Sequence, residues 1–144
     1  MKIFVINGPN INMLGVREPD IYGYDTMDQI NKELVEFSKT LNSDIRLEFY
    51  QSNHEGEIID KIQTLVNYDG LIINPAAYTH TSIAIADTIK AIGIKAVEVH
   101  LSNPSNREDY RKKSLVGEAC FGLVAGFGKE SYKMALLGLF QKLK

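Results

Sequence analysis

Short apolar runs alternate with amphipathic stretches along this chain, and that alternation limits what it can fold into more than any other feature. Residues 2–7, KIFVIN, are mostly apolar and stop at Gly8 and Pro9, the pattern of a strand covered on both faces. Residues 26–41 repeat Met27, Ile30, Leu34, Phe37 and Leu41 at steps of three and four, which predicts an amphipathic helix. Thr26 with Gln29 is a capping-box pair at its start. Residues 45–50 alternate Ile45, Leu47 and Phe49, a half-buried strand. A second helix carries Ile58, Ile59, Ile62, Leu65 and Val66, and residues 70–74, GLIIN, are a third strand. A third helix begins near Thr81 and ends before Gly93, a residue suited to the left-handed position after a helix. Residues 95–99 are a fourth strand, 106–113 a short polar helix, 122–126 a fifth strand, and 130–143 a last helix with Met134, Leu137 and Phe140.

Such alternation, with strands this apolar, means a parallel sheet covered on both faces. Five strands in 144 residues predict an α/β, flavodoxin-like three-layer sandwich of strand order 2-1-3-4-5, in a single domain over 1–144. A chain this long buries roughly two-thirds of its unfolded surface, enough for a core without covalent staples. Cys120 is the only cysteine, so no intrachain disulfide is possible, and it reads as a small buried apolar residue. The net charge of −2 excludes a general affinity for nucleic acid or anionic membranes. No apolar run approaches the ~20 residues of a membrane span, and the opening residues turn polar too soon after Ile6 for a signal peptide. The expected location is the cytoplasm.

In a sheet of this order, ligands bind beyond the carboxyl ends of strands 1 and 3, where the strand order switches. Strand 1 leads into Asn7-Gly8-Pro9-Asn10 and then a long connection, 8–25, holding Arg17 and Tyr22. That connection has no periodic apolar face, and long loops in compact domains are usually functional. It reads as a lid; Met13 and Leu14 are candidates for core or lid, with lid the preferred reading. Strand 3 leads into Asn74-Pro75-Ala76-Ala77-Tyr78-Thr79-His80-Thr81, and strand 4 into His100-Leu101-Ser102-Asn103. Polar groups thus gather at one edge of the sheet. Arginines can fork onto a carboxylate, Asn and Ser can pair with hydroxyls and carbonyls, and His exchanges protons near neutral pH. The set suits an oxygen-rich organic anion.

Three stretches carry a specific resemblance: IFVINGPNINMLGVREPDIYG at 3–23, NPAAYTHTS at 74–82, and EVHLSN at 98–103 followed by REDYR at 107–111. Together they resemble the type II 3-dehydroquinate dehydratases, over essentially the whole chain. The resemblance implies a flavodoxin-like homododecamer, a tetramer of trimers. It implies anti elimination of water from 3-dehydroquinate to give 3-dehydroshikimate through an enolate, with no metal or other cofactor. It implies Tyr22 as the base at C2 with Arg17 beside it, and Asn10 helping to hold a water against the enolate oxygen. His100 would protonate the departing C1 hydroxyl, oriented by Glu98. Asn74 and His80 would bind substrate hydroxyls, Leu101 and Ser102 the carboxylate, and Arg111 the substrate. Asp87 would reach a neighbouring subunit's site. The chain departs from the family's usual pattern at Ala86, Asn106 and Tyr110, none of which has a catalytic role in it.

Other readings of the same residues are weaker. A lone loop tyrosine is most often a packing residue, but Tyr22 has an arginine five positions before it in a Gly- and Pro-rich segment. Ionising a free tyrosine at neutral pH costs ~4 kcal/mol, and a cation within ~4–6 Å supplies much of that. His54, His80 and His100 lack any local metal-ligand spacing, and His54 reads as a structural residue at a strand-to-helix turn. Gly126-Phe127-Gly128 reads as a tight turn, since no later strand completes a nucleotide-binding unit. The rival from another class is a flavodoxin-like ligand-binding or signalling module. The acidic cluster or phosphate loop it would need after strand 1 is missing. A serine hydrolase would need a GxSxG elbow, also absent.

Overall fold

The computed structural model describes all residues, 1–144. A five-stranded parallel sheet runs β1 (Lys2–Asn7), β2 (Arg46–Gln51), β3 (Gly70–Asn74), β4 (Lys95–His100) and β5 (Gly122–Ala125) along the chain. Its spatial order is β2-β1-β3-β4-β5, as the sequence predicts. Five α segments join the strands: α1, a single turn at Pro19–Tyr22, α2 (Met27–Leu41), α3 (Glu55–Gln63), α4 (Ile83–Ile92) and α5 (Glu130–Leu143).

The period-two rule for strands divides the core in two. Ile3, Val5, Ile72, Val97 and Val99 face α2 and α5, packing with Ile30, Leu34, Leu136 and Leu139. Phe4, Ile6, Leu71, Ile73 and Ala96 face α3 and α4, packing with Ile58, Ile62, Ile85 and Ile89. The same alternation sends Asn7 and Asn74 toward the first layer and Glu98 and His100 toward the second.

The capping box at Thr26 is present, with both reciprocal bonds to Gln29, so Thr26 caps α2 rather than starting it. Gly93 ends α4 at φ 68°, the left-handed position expected of it. Gly126 and Gly128 also take positive φ, and the Gly128 N–H donates to the Leu101 carbonyl, so this stretch is the tight turn expected of it.

Several expectations need correction. The second helix stops at Gln63; Leu65 is buried in a following 3-10 turn, and Val66 on the same turn is exposed. The helix expected near Thr81 begins at Ile83, capped by Ser82, because a 3-10 turn over Ala76–His80 takes up the residues before it. The polar helix at 106–113 is instead two 3-10 turns, Pro104–Asn106 and Asp109–Arg111. A helix that short with no apolar face lacks the packing that stabilises helices in proteins. On α5 the buried face is Tyr132, Ala135, Leu136, Leu139 and Phe140, while Met134 and Leu137 are exposed. Phe140 is thus in the core as expected, whereas Met134 and Leu137 lie on an adjacent apolar stripe that faces outward. Nor is the 8–25 connection featureless: a 3-10 turn at Ile11–Met13 buries Ile11 and Leu14 in the core, three residues apart. Leu14 is therefore a core anchor of the segment, not a lid residue.

Candidate active site

Gly8 makes the close approach on which the site depends. Its N–H donates to the Asn74 carbonyl at 2.7 Å, just past the ends of β1 and β3. A Cβ there would lie 2.6 Å from the Pro75 carbonyl oxygen, so only glycine lets the two strand ends leave the sheet side by side. The Asn10 N–H donates to Asn53 Oδ1 at 3.0 Å, and Gln51 Nε2 donates to the Gly8 carbonyl at 3.1 Å and to Asn53 Oδ1 at 3.1 Å. These bonds hold Asn10 in a left-handed conformation, φ 69°, uncommon outside glycine but tolerated by Asn.

A cavity opens at this end of the sheet, lined among others by Asn10, Arg17, Tyr22, Asn74, His80, His100, Leu101, Ser102, Arg107 and Arg111. Nine of the residues singled out from sequence therefore converge on one space. Glu98 lies directly behind His100. Asp87 does not join them: it is exposed on α4, away from its own chain's cavity. His54 stands at the start of α3, the strand-to-helix turn expected of it.

Glu98 and His100, two apart on one strand, point the same way, and His100 Nε2 lies 2.5 Å from Glu98 Oε1. Thr79 Oγ1 also donates to Glu98 Oε1, and Ser114 Oγ donates to Oε2 at 2.7 Å. Burial alone would raise the pKa of this carboxyl. The bonds from His100, Thr79 and Ser114 outweigh it and hold Glu98 below the usual carboxylate range. An ionised Glu98 only accepts, so Nε2 carries a proton and Nδ1 is the ring nitrogen left for chemistry. Gly117 permits the arrangement, since a Cβ there would lie 2.6 Å from Glu98 Oε2. At His80 the ring is fixed through Nδ1, 2.7 Å from the Lys113 carbonyl, which makes Nδ1 the donor.

Tyr22 is set by cations. Arg107 Nη1 donates to its hydroxyl oxygen at 2.9 Å, and the Arg17 guanidinium carbon lies 4.7 Å from its ring centroid. Arg107 Nη1 also lies 3.4 Å from Ser102 Oγ, linking the base side to strand 4. Arg111 is held by Glu108 at 2.8 Å. Sequence reasoning missed Arg107, although it opens the REDYR stretch and shares a four-residue spacing with Arg111. It also missed Thr79 and Ser114. Thr79 lies inside the second motif, whereas nothing local marks Ser114.

Cys120 is partly buried, and burial, with the Glu98 charge adding, pushes its thiol up to about 12, so it is not a nucleophile at neutral pH. No three His, Cys, Asp or Glu side chains converge as metal ligands would. A phenol held by two guanidiniums and an imidazole held by a carboxylate, in one cavity with three arginines, are groups able to exchange protons with an organic anion.

Comparison with known proteins agrees with this chemistry. The family model described as dehydroquinase class II matches residues 1–140. A 3-dehydroquinate dehydratase of Helicobacter acinonychis is 55% identical, over 96% of this chain and 84% of that one. A 3-dehydroquinate dehydratase of Campylobacter hominis is 54% identical, over 98% of this chain and 90% of that one. The crystal structure of type II dehydroquinase from Butyrivibrio crossotus superposes with a TM-score of 0.93 at 47% identity, over 97% of each chain.

Proposed function

The chain belongs to the class II dehydroquinase family, and we propose that it dehydrates 3-dehydroquinate to 3-dehydroshikimate, as a hydro-lyase of the shikimate route to chorismate and the aromatic amino acids. The observation that carries this reading is the placement of Tyr22 under Arg107 and of His100 over Glu98 in one cavity. Tyr22 takes the proton from C2 as its ionised oxygen, and the electron pair moves into an enolate. Asn10 helps hold a water against the enolate oxygen. The C1–oxygen bond then breaks, and the departing hydroxyl takes a proton from His100 Nδ1 and leaves as water. Glu98 keeps the imidazolium oriented through Nε2. Arg107 donates to the oxygen of the base and Arg17 lies against its ring. Asn74 and His80 bind hydroxyls, Leu101 and Ser102 bind the carboxylate, and Arg111 binds the anion.

The reaction needs no metal and no Schiff base in this reading, and no lysine lines the cavity. Borohydride with substrate leaves activity intact; inactivation with a mass adduct on a lysine would refute this. We further propose twelve chains, a tetramer of trimers, with Asp87 completing a neighbour's site. Two features support assembly: Asp87 is exposed on its own chain, and Leu123, Phe127 and Met134 expose apolar surface along one groove beside the edge strand β5. The proposed location is the cytoplasm, where a lone cysteine stays reduced. The direct test mixes the protein with 3-dehydroquinate and follows the ultraviolet absorbance of the conjugated product. Folded protein that produces no rise overturns the reading.

A further inference from the structure

Tyr132 lies on α5 and is entirely buried, 1% exposed, yet its hydroxyl sits between two asparagines at the strand ends. Register brings them together. Asn7 and Asn74 are paired across β1 and β3, and both point toward the α5 layer. The directions of the bonds can be worked out from one fixed donor. The Ala76 N–H lies 3.1 Å from Asn74 Oδ1, and a backbone N–H only donates, so that atom of Asn74 must be the oxygen. Asn74 Nδ2 therefore faces Tyr132 Oη at 2.9 Å and donates to it. The Tyr132 proton is left for Asn7 Oδ1, at 2.6 Å. The chain runs one way: Asn74 to Tyr132 to Asn7. Burial pushes the Tyr132 hydroxyl far up, so it stays protonated and keeps this direction.

We propose that Tyr132 is a positioning residue for substrate binding: it holds the amide of Asn74 so that the second N–H of that side chain is offered to the ligand. This rests on the reading of Asn74 as a substrate ligand. Asn74 lines the cavity, whereas Tyr132 and Asn7 do not. The amide oxygen is already committed to Ala76 and one N–H to Tyr132, so the second N–H is what remains for a substrate oxygen. Ala76 takes φ 51° while making its bond, a left-handed conformation that a non-glycine residue rarely adopts, and so contributes to a local turn built around the Asn74 oxygen. The α5 layer thus sets the hydrogen-bonding sense of a group at the site.

The test is steady-state kinetics on the assembled enzyme with Tyr132→Phe, Asn74→Ala and the double variant. Tyr132→Phe removes one oxygen and leaves the ring in its place. Asn74 binds ground state and transition state alike, so KM rises by about tenfold in Tyr132→Phe while kcat changes little. The double variant matches Asn74→Ala alone, because both substitutions remove the same interaction. A KM unchanged in Tyr132→Phe while Asn74→Ala raises it overturns the proposal and leaves the Asn74 assignment standing, even if the melting temperature falls. A KM unchanged in both overturns the Asn74 assignment and the proposal with it. If Tyr132→Phe does not fold, Asn7→Ala removes the acceptor at the far end of the chain and is read in the same way: a raised KM supports the proposal, an unchanged one overturns it.

Discussion

His100 and Glu98 stand two residues apart on β4, and three further groups, Thr79, Ser114 and Gly117, are fitted around Glu98. Arg17 and Tyr22 stand on a connection that pairs with no strand and is anchored to the core by Ile11 and Leu14. His100, the proposed proton donor, thus inherits its position from the sheet, while Tyr22, the proposed base, is positioned by side-chain contacts, chiefly from Arg107 across the cavity. A rigid acid suits a group whose pairing must be set before substrate arrives. A base on a separate segment can be brought up by the substrate itself, with water excluded as it closes.

The largest effects come from breaking each side in turn. Tyr22→Phe removes the ionisable oxygen, and kcat falls by about a thousandfold or more, with little change in substrate binding. His100→Ala also blocks turnover, but it leaves the base intact. In deuterated water the His100→Ala enzyme exchanges the C2 hydrogen of 3-dehydroquinate without forming product, and Tyr22→Phe does not. C2 exchange at the wild-type rate in Tyr22→Phe would remove Tyr22 as the base.

The arginines sharpen the comparison with a smaller effect. Arg107→Ala loses a direct donor to the Tyr22 oxygen as well as its contact with Ser102, whereas Arg17→Ala loses a cation beside the ring. Turnover falls by about a hundredfold in the first and about tenfold in the second, in line with a charge-assisted bond against a cation–π contact. C2 exchange slows with it in both. If Arg17→Ala is the more damaging, the base is tuned from its own segment and not from across the cavity.

The acid side was legible in the sequence and the base side only partly. Asn74 and His100 end apolar strands, and His80 and Ser102 lie in the connections that follow, at ends that can be read from Pro75 and the polar residues after Val99. Sheet order then brings them together. Tyr22 was found through the REPDIYG motif and its spacing from Arg17, but its partner Arg107 lies 85 residues away in sequence. Periodicity carries no information on such a contact. Ser114 was invisible for the same reason, since it meets Glu98 only once the loop after β4 turns back. The misread faces have a different cause. Met134 and Leu137 were misplaced because apolar residues on neighbouring stripes of a helix look alike until a partner layer selects one, and Leu14 because a connection without periodicity gives no sign of which residues turn inward.

The Glu98 cluster predicts a moderate, pH-dependent effect. Its carboxyl is held below the ordinary value of 4.5, so the stability it contributes is present above that value and is lost as pH falls through the depressed one. Glu98→Gln keeps an acceptor for His100 but removes the charge. Urea midpoints compared at about pH 6 and about pH 3 fall less in Glu98→Gln than in the wild-type protein, and turnover at neutral pH drops by about tenfold. An equal fall in both proteins would mean that the carboxylate is not what couples this site to pH.

The smallest expected effect concerns motion and leaves activity untouched. Gly15 and Gly23 take φ 87° and 84°, on either side of Arg17 and Tyr22. Within that stretch Val16 and Tyr24 are exposed, and it is tied to the rest of the molecule through Tyr22, which packs on the core and accepts from Arg107, and through Asp25, which pairs with Lys129. Segments with few buried contacts open locally at low cost. Residues 15–25 therefore exchange their amide hydrogens quickly without ligand, whereas Ile11 and Leu14, buried in the core, are protected throughout. Bound substrate anion adds contacts to Arg17 and Tyr22 and slows exchange in the segment, while β4 exchanges at the same slow rate in both states. The position of the change is the discriminating result. Protection that appears on β4 as strongly as on 15–25 would mean that both sides of the cavity move together. Equally slow exchange in both states would mean that the base is as preset as the acid, and the contrast between the two sides would fail.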